Sequence, residues 1–196
     1  AAVREIELQS FAVGSIDRKT ITRSAAPPFT TSTMQQEASR KLGFGATRTM
    51  QVAQKLYEGA DIGGETVGLI TYMRTDNVNL GQEAIVSVRA TIGQEYGHQY
   101  LPDNPKTYRN RSKNAQEAHE AVRPTSITRV PDDIKDSLTE EQFKLYELIW
   151  KRTMASQMIH ATIDSVAVDM SCGEGNLFRA NGSSIADPGF MQVYLE

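Results

Sequence analysis

Alternation with a period of two at both ends of the chain, and spacings of three and four between them, restricts the fold of this 196-residue sequence more than any other feature. Near the start, Ile6 and Leu8 alternate with Glu5, Glu7 and Gln9, and Lys19-Thr20-Ile21-Thr22 is a second β-leaning run. Near the finish, Val166, Val168 and Met170 fall on one face of an alternating run that begins at Ser165. Cys172 to Asn176 reads as a turn, and Phe190 to Leu195 as a last strand. Strands at both ends predict an α+β chain in which a helical domain is inserted into a β-rich strap formed by the two chain ends. The expected boundaries are 1–26 with 156–196 for the strap and 27–155 for the helical insertion.

The inserted block carries four helix signatures. Ala26-Pro27-Pro28 enforces an extended approach, because proline disfavours helix in the residue before it. Ser32 and Gln35 then have the spacing of a capping box for a helix through Leu42, with Gly43 as its stop. A second helix runs from Ala46 to Tyr57, with Met50, Ala53 and Tyr57 on one side. A third carries Ile85, Val88, Ile92 and Tyr96 and ends near Gly97. The fourth is capped by Thr139 and Gln142 and buries a stripe of Phe143, Tyr146, Trp150 and Met154. Tyr100 to Ser126 is polar and proline-marked and reads as loops with room for one short helix. With 39% hydrophobic and 23% charged residues, the chain can bury a core and is not of disordered composition.

Val67, Ile70 and Thr71 favour an extended backbone through the segment that ends at Asp76. In an extended chain Tyr72 and Arg74 point the same way. A phenol titrates near pH 10 and attacks only if its proton leaves. A guanidinium stays cationic and presents a fork of donors suited to phosphate oxygens. The pair therefore suggests phosphoryl transfer to tyrosine, although spacing alone favours a plainer reading, a half-buried strand tyrosine beside a solvated arginine.

The whole stretch resembles the active-site signature of the type IA DNA topoisomerases. The match covers Gly68-Leu69-Ile70-Thr71-Tyr72-Met73-Arg74-Thr75-Asp76 and then Asn79-Leu80. Pro27 to Gln36 with Leu42-Gly43-Phe44, and Ala115 to Pro124, are two further blocks similar to the family's, in its order and spacing. Met73 after the tyrosine is more like bacterial topoisomerase I than topoisomerase III. Asn77 departs from the serine usual in the family, which puts in doubt any role for a hydroxyl there.

The resemblance implies that Tyr72 attacks a phosphodiester of single-stranded DNA and becomes joined to the 5′ phosphate, in an enzyme that relaxes negatively supercoiled DNA. Arg74 would then neutralise the scissile phosphate. Asp76 either orients Arg74 or caps the turn that follows. His119 would donate a hydrogen bond to DNA phosphate, and Arg123 would stabilise its loop by pairing with Glu117 or Glu120. A zinc-protease reading fails, because Arg123 stands where the second histidine of H-E-x-x-H belongs. His98 and His160 have no supporting pattern and are read as structural.

The net charge of −3 excludes a histone-like protein but not local nucleic-acid contacts. Lys106, Arg109, Arg111 and Lys113 lie near Tyr108 with no acid until Glu117, and Arg40, Lys41 and Arg48 form a second basic group; both are candidate DNA contacts. Asp132, Asp133, Asp136, Glu140 and Glu141 surround a helix start and read as helix capping. No G-x-x-x-x-G-K-S/T loop occurs, consistent with a reaction that needs no ATP. Nor is there the D-x-D pattern of the family's magnesium-binding acidic domain, and the lone Cys172 forms neither a disulfide nor a cysteine-based zinc site. The chain also begins at Ala, and no apolar run reaches the roughly 20 residues of a membrane span. The expectation is an interior piece of a cytoplasmic, nucleoid-associated bacterial enzyme, with Mg2+ bound by the rest of the parent chain and the piece alone inactive. The alternative is a non-catalytic DNA-binding module. A tyrosine recombinase is disfavoured, because there the histidine and arginine normally precede the tyrosine.

Overall fold

The computed structural model describes residues 2–109 and 119–195. They fall into two units, residues 1–24 with 160–189 and residues 25–159 with 190–196.

The first unit is a three-stranded antiparallel sheet in the order β1-β4-β5, with β1 Phe11–Arg23, β4 Ala161–Cys172 and β5 Asn176–Asp187. Gly173 and Gly175, at φ +63° and +80°, turn β4 into β5, a conformation that glycine adopts without a Cβ penalty. Cys172 therefore pairs with Asn176, and Asp169 with Arg179. On the other side of the central strand Asp169 pairs with Ser15. The Arg179 guanidinium donates to both Asp169 oxygens at 2.6 and 2.8 Å, and the Ser15 hydroxyl donates at 3.1 Å. This rung holds the Asp169 carboxyl at about 2, through the hydrogen bonds from Arg179 and Ser15.

Two expectations at the chain ends are corrected. Ala2–Glu7 is a short helix, α1, where alternation suggested a strand. Alternation over so few residues is outweighed by the helix formers Ala2, Arg4, Glu5 and Glu7. The last strand of the sheet is Asn176–Asp187, not Phe190–Leu195. The latter stretch enters a 3-10 turn, Gly189–Gln192, and packs in the second unit, where Phe190 is fully buried and its N–H donates to the Ile159 carbonyl at 3.1 Å.

The second unit is built on four helices: α2 Thr31–Leu42, α3 Ala46–Glu58, α4 Gln82–Glu95 and α5 Glu140–Ser156. A small hairpin, β2 Ala60–Ile62 with β3 Glu65–Val67, follows α3. Among the described residues no helix is long and apolar enough to cross a membrane. The core gathers Phe29, Met34, Leu56, Leu69, Ile70, Met73, Ile92, Leu145, Ile149 and Met154, each burial contributing roughly 1.5–3 kcal/mol.

Helix α5 opens on the capping box of Thr139 and Gln142. Its buried face holds Leu145, Tyr146, Leu148, Ile149, Trp150 and Met154, whereas Phe143 is only half-buried beneath the Lys135 amine. Burial of the two large aromatics is compatible with their polar atoms. The Trp150 Nε1–H donates to the Ile127 carbonyl and the Tyr146 hydroxyl to the Arg129 carbonyl, both at 2.8 Å. The cap of α2 is Thr30, two residues before the expected Ser32. The Thr30 hydroxyl accepts the Thr33 N–H, and the Thr31 N–H goes to the Thr75 carbonyl. Gly43, at φ +70°, closes it as read. On α3 the inward face is Thr49, Val52, Ala53 and Leu56, so the expected stripe is out of phase and Tyr57 is exposed. Three apolar positions on a short helix fit two adjacent faces, and packing against α2 and α5 selects one.

Candidate active site

The segment 68–79 runs between two neighbouring stretches of backbone that hold it on both sides. Upstream of the tyrosine, Ile70 bridges to Pro124, the Thr71 N–H donates to the Arg123 carbonyl at 2.9 Å, and the Thr71 hydroxyl donates to the Ala121 carbonyl at 2.7 Å. Downstream, the Thr31 hydroxyl lies 2.7 Å from the Met73 carbonyl and accepts the Thr75 N–H at 2.8 Å. The Thr31 N–H completes the clamp on the Thr75 carbonyl at 2.9 Å. Exposure then alternates residue by residue. Met73, Thr75 and Asn77 are buried, while Tyr72, Arg74 and Asp76 are exposed. Period-two geometry thus puts the phenol and the guanidinium on the outer side of one backbone.

Tyr72 is 40% exposed, enough for its hydroxyl to meet a ligand, yet its ring is not loose. It meets the Tyr57 ring edge-on at 5.4 Å between centroids and has the His119 ring at 6.2 Å. His119, itself exposed, lines a cavity of about 460 Å³ with Arg74, Asp76, Thr75 and the opening residues of α2, Thr30 to Ser32. Arg74 also borders a groove of about 860 Å³ along α3. Among the described residues its guanidinium has no hydrogen bond or ion pair, so its donors are available to an anion. The start of α2 beside that cation contributes the positive end of the helix dipole.

Of the two roles open to Asp76 in the sequence, the structure adopts neither among the described residues. Asp76 forms no pair with Arg74, and it is Asn77 whose side chain caps the following turn, accepting the Asn79 N–H at 2.8 Å. Arg123 pairs with Glu120 and donates to the Pro124 carbonyl at 2.8 Å. Glu117, the other partner considered for it, lies outside the described residues, as do Arg111 and Lys113.

Of the other basic candidates, Arg40, Lys41 and Arg48 are engaged within the protein, whereas Arg109 is exposed. Arg40 pairs with Glu37 at 2.6 Å, and Lys41 donates to the Leu195 carbonyl and stands over the Tyr194 ring at 4.7 Å. Burial opposes ionisation of Glu37, but hydrogen bonds from Tyr194 and Arg40 hold its carboxyl below the ordinary range. Arg48 pairs with Glu141. Lys106 is corrected from a surface contact to a buried amine, with its pKa lowered by burial and no hydrogen-bond partner among the described residues. Its companion Tyr108 donates to the Ser156 carbonyl at 2.8 Å and is an anchor. Among the described residues no three of His, Cys, Asp and Glu gather as a metal site.

Sequence reasoning did not single out Thr31, Tyr57 or the bonding of Asn77. Thr31 lay inside a family-like block, but nothing local links it to a backbone more than forty residues away.

A family model described as DNA topoisomerase matches residues 1–196. The chain is 54% identical over 194 residues to the DNA topoisomerase 1 of Rickettsia typhi, covering 98% of this chain and 25% of that protein. It is 52% identical over 202 residues to the DNA topoisomerase 1 of Xylella fastidiosa, covering 100% of this chain and again 25% of the relative. The structure of full-length topoisomerase I from Thermotoga maritima is similar over 98% of this chain and 31% of that one, with a TM-score of 0.82 and 33% identity. The chain therefore spans about a quarter of the length of these curated relatives.

Proposed function

Because this chain belongs to the DNA topoisomerase family, we propose that it carries the nucleophile of a type IA topoisomerase, the bacterial enzyme that relaxes negatively supercoiled DNA one strand at a time. The Tyr72 oxygen attacks a backbone phosphorus of single-stranded DNA. A tyrosine–phosphorus ester forms, the bond to the 3′ oxygen breaks, and the 5′ phosphate stays on the protein. The phenol gives up its proton and the departing 3′ oxygen takes one. No carboxylate among the described residues approaches Tyr72 by hydrogen bond, so we assign that exchange to groups of the parent chain outside them. One phosphoester replaces another, so the reverse attack by the 3′ hydroxyl reseals the strand without ATP.

Arg74 meets the non-bridging phosphate oxygens as charge builds on them. His119, 6.2 Å from the Tyr72 ring between centroids, donates a hydrogen bond to the same phosphate or its neighbour. Arg40, Lys41, Arg111 and Lys113 are assigned to electrostatic guidance of the strand. Magnesium is assigned to carboxylates elsewhere in the parent chain, and the parent to the bacterial cytoplasm at the nucleoid. The single observation that carries the reading is the half-exposed Tyr72, flanked by backbone clamps, beside an Arg74 that has no partner among the described residues.

The test is adduct trapping in the full-length parent with end-labelled single-stranded DNA. Tyr72→Phe removes one oxygen and should abolish the denaturation-resistant adduct while leaving DNA affinity within about twofold. An adduct that persists in Tyr72→Phe would overturn the assignment. Loss of neither adduct nor relaxation would favour a DNA-binding module without a catalytic tyrosine. The 196-residue chain alone should not relax a plasmid, because the proton exchange and the metal are supplied from outside it.

A further inference from the structure

Among the described residues, Asn77 is the one side chain that joins the Tyr72 segment to the backbone of His119. It is 5% exposed. Its Nδ2–H donates to the His119 carbonyl, while its Oδ1 accepts the Asn79 N–H at 2.8 Å. The Asn79 carbonyl in turn accepts the Ala121 N–H at 2.9 Å. One amide thus ties residue 119 directly and residue 121 through the turn it caps. The Asn77 N–H donates to the Thr75 hydroxyl at 3.1 Å, which links this tie to the Thr31 clamp around Met73 and Thr75.

The chemistry demanded at position 77 is specific. The side chain must donate to one carbonyl and accept from one N–H at the same time, at a reach of two bonds from Cβ. Serine has a single shorter hydroxyl. Aspartate offers no donor and would set a carboxylate against the His119 carbonyl. Nothing else among the described residues bonds to that carbonyl, and the imidazole stands on the same residue.

We propose, resting on the reading of Tyr72 as nucleophile, that Asn77 is a positioning residue that acts through His119, fixing the imidazole beside the tyrosine for the cleavage step. It touches no substrate itself. Its removal should lower the rate of adduct formation without lowering the affinity for DNA. That effect should vanish when the imidazole is already gone.

The experiment is a two-residue cycle in the full-length parent. Single-turnover adduct formation is measured on a saturating single-stranded oligonucleotide for the parent, Asn77→Ser, Asn77→Ala, His119→Ala and the two double variants, with equilibrium binding of the same oligonucleotide alongside. Asn77→Ser and Asn77→Ala should each slow adduct formation about tenfold or more, the loss expected when a buried acceptor goes unpaired. Binding should change less than twofold. In the His119→Ala background the same substitutions should have less than a twofold further effect. All rates are read at a temperature where thermal melts show every variant folded; should Asn77→Ala fail that criterion, Asn77→Ser, which keeps a hydroxyl, carries the cycle. Equal slowing with and without the imidazole would overturn the proposal, and so would no slowing at all. Tyr72→Phe in the same assay separates the two readings. If it abolishes the adduct while Asn77 variants react normally, only the positioning role fails; if it does not, the nucleophile assignment fails.

Discussion

Replacing Thr31 with valine should destabilise the helical unit through one oxygen atom. The two side chains have nearly the same shape, so packing around the β-branched carbon is kept. What is lost is the hydroxyl that lies 2.7 Å from the Met73 carbonyl, 3.1 Å from the Thr75 carbonyl and 2.8 Å from the Thr75 N–H. Its proton satisfies one carbonyl at a time, and the Thr75 carbonyl keeps the Thr31 N–H. The groups left unpaired are therefore the Met73 carbonyl and the Thr75 N–H. Met73 is fully buried and Thr75 nearly so. An unsatisfied buried group costs about 1–3 kcal/mol, and two that partly recover with water suggest a loss of about 2–3 kcal/mol. For a unit of this size that corresponds to a fall in melting temperature of roughly 5–10 °C. Urea denaturation of the 196-residue chain, followed by circular dichroism, measures it directly, and Thr31→Ser is the control. Serine keeps the oxygen and drops the methyl, so it should retain most of the stability. If Val leaves the stability unchanged, or Ser destabilises more than Val, the methyl group and not the clamp is what matters, and the argument about the tyrosine backbone is refuted.

Two further outcomes are expected. Arg74→Ala in the parent should slow single-turnover cleavage on the order of a hundredfold or more, the roughly 2–4 kcal/mol typical of a donor aimed at developing charge, with Lys restoring only part of it; weakened affinity at an unchanged cleavage rate would make Arg74 a binding contact only. In the sheet, the Asp169 carboxyl is depressed from its ordinary 3.8 to about 2 by Arg179 and Ser15, so its contribution is complete above pH 3.8 and is lost as pH falls through about 2. Acid titration of stability should accordingly be shallower in Asp169→Asn across that window, and an identical slope would mean the rung contributes nothing.

Much of the local structure was legible because its causes are local. Thr139 and Gln142 are three residues apart and cap α5 by bonds between themselves. Gly43 ends α2, and Gly173 and Gly175 turn the hairpin, because their left-handed backbones disfavour other residues. The alternation through Tyr72, Arg74 and Asp76 follows from an extended backbone whose buried members are Met73, Thr75 and Asn77. Tyr72 itself stood out through the residues around it rather than through its own chemistry, since a lone tyrosine in a strand is uninformative.

What the sequence could not contain is which distant backbone each polar side chain meets. Thr31 and Met73 are 42 residues apart, and so are Asn77 and His119. Their hydrogen bonds exist only because Phe29 bridges to Val122 and Ile70 to Pro124, which brings three separate stretches side by side. The same holds for the basic residues. Local charge marked Arg40, Lys41 and Arg48 as candidate DNA contacts, and tertiary structure gave them Glu37, Leu195 and Glu141 as partners. It also decided that Phe190 to Leu195 pack among helices instead of extending a sheet, since the apolar pattern of six residues fits either surface and burial against Ile159 and Tyr194's bond to Glu37 were available in only one. A pattern in sequence fixes which faces are apolar, whereas the identity of the group that pairs with a given donor is a property of the closed fold.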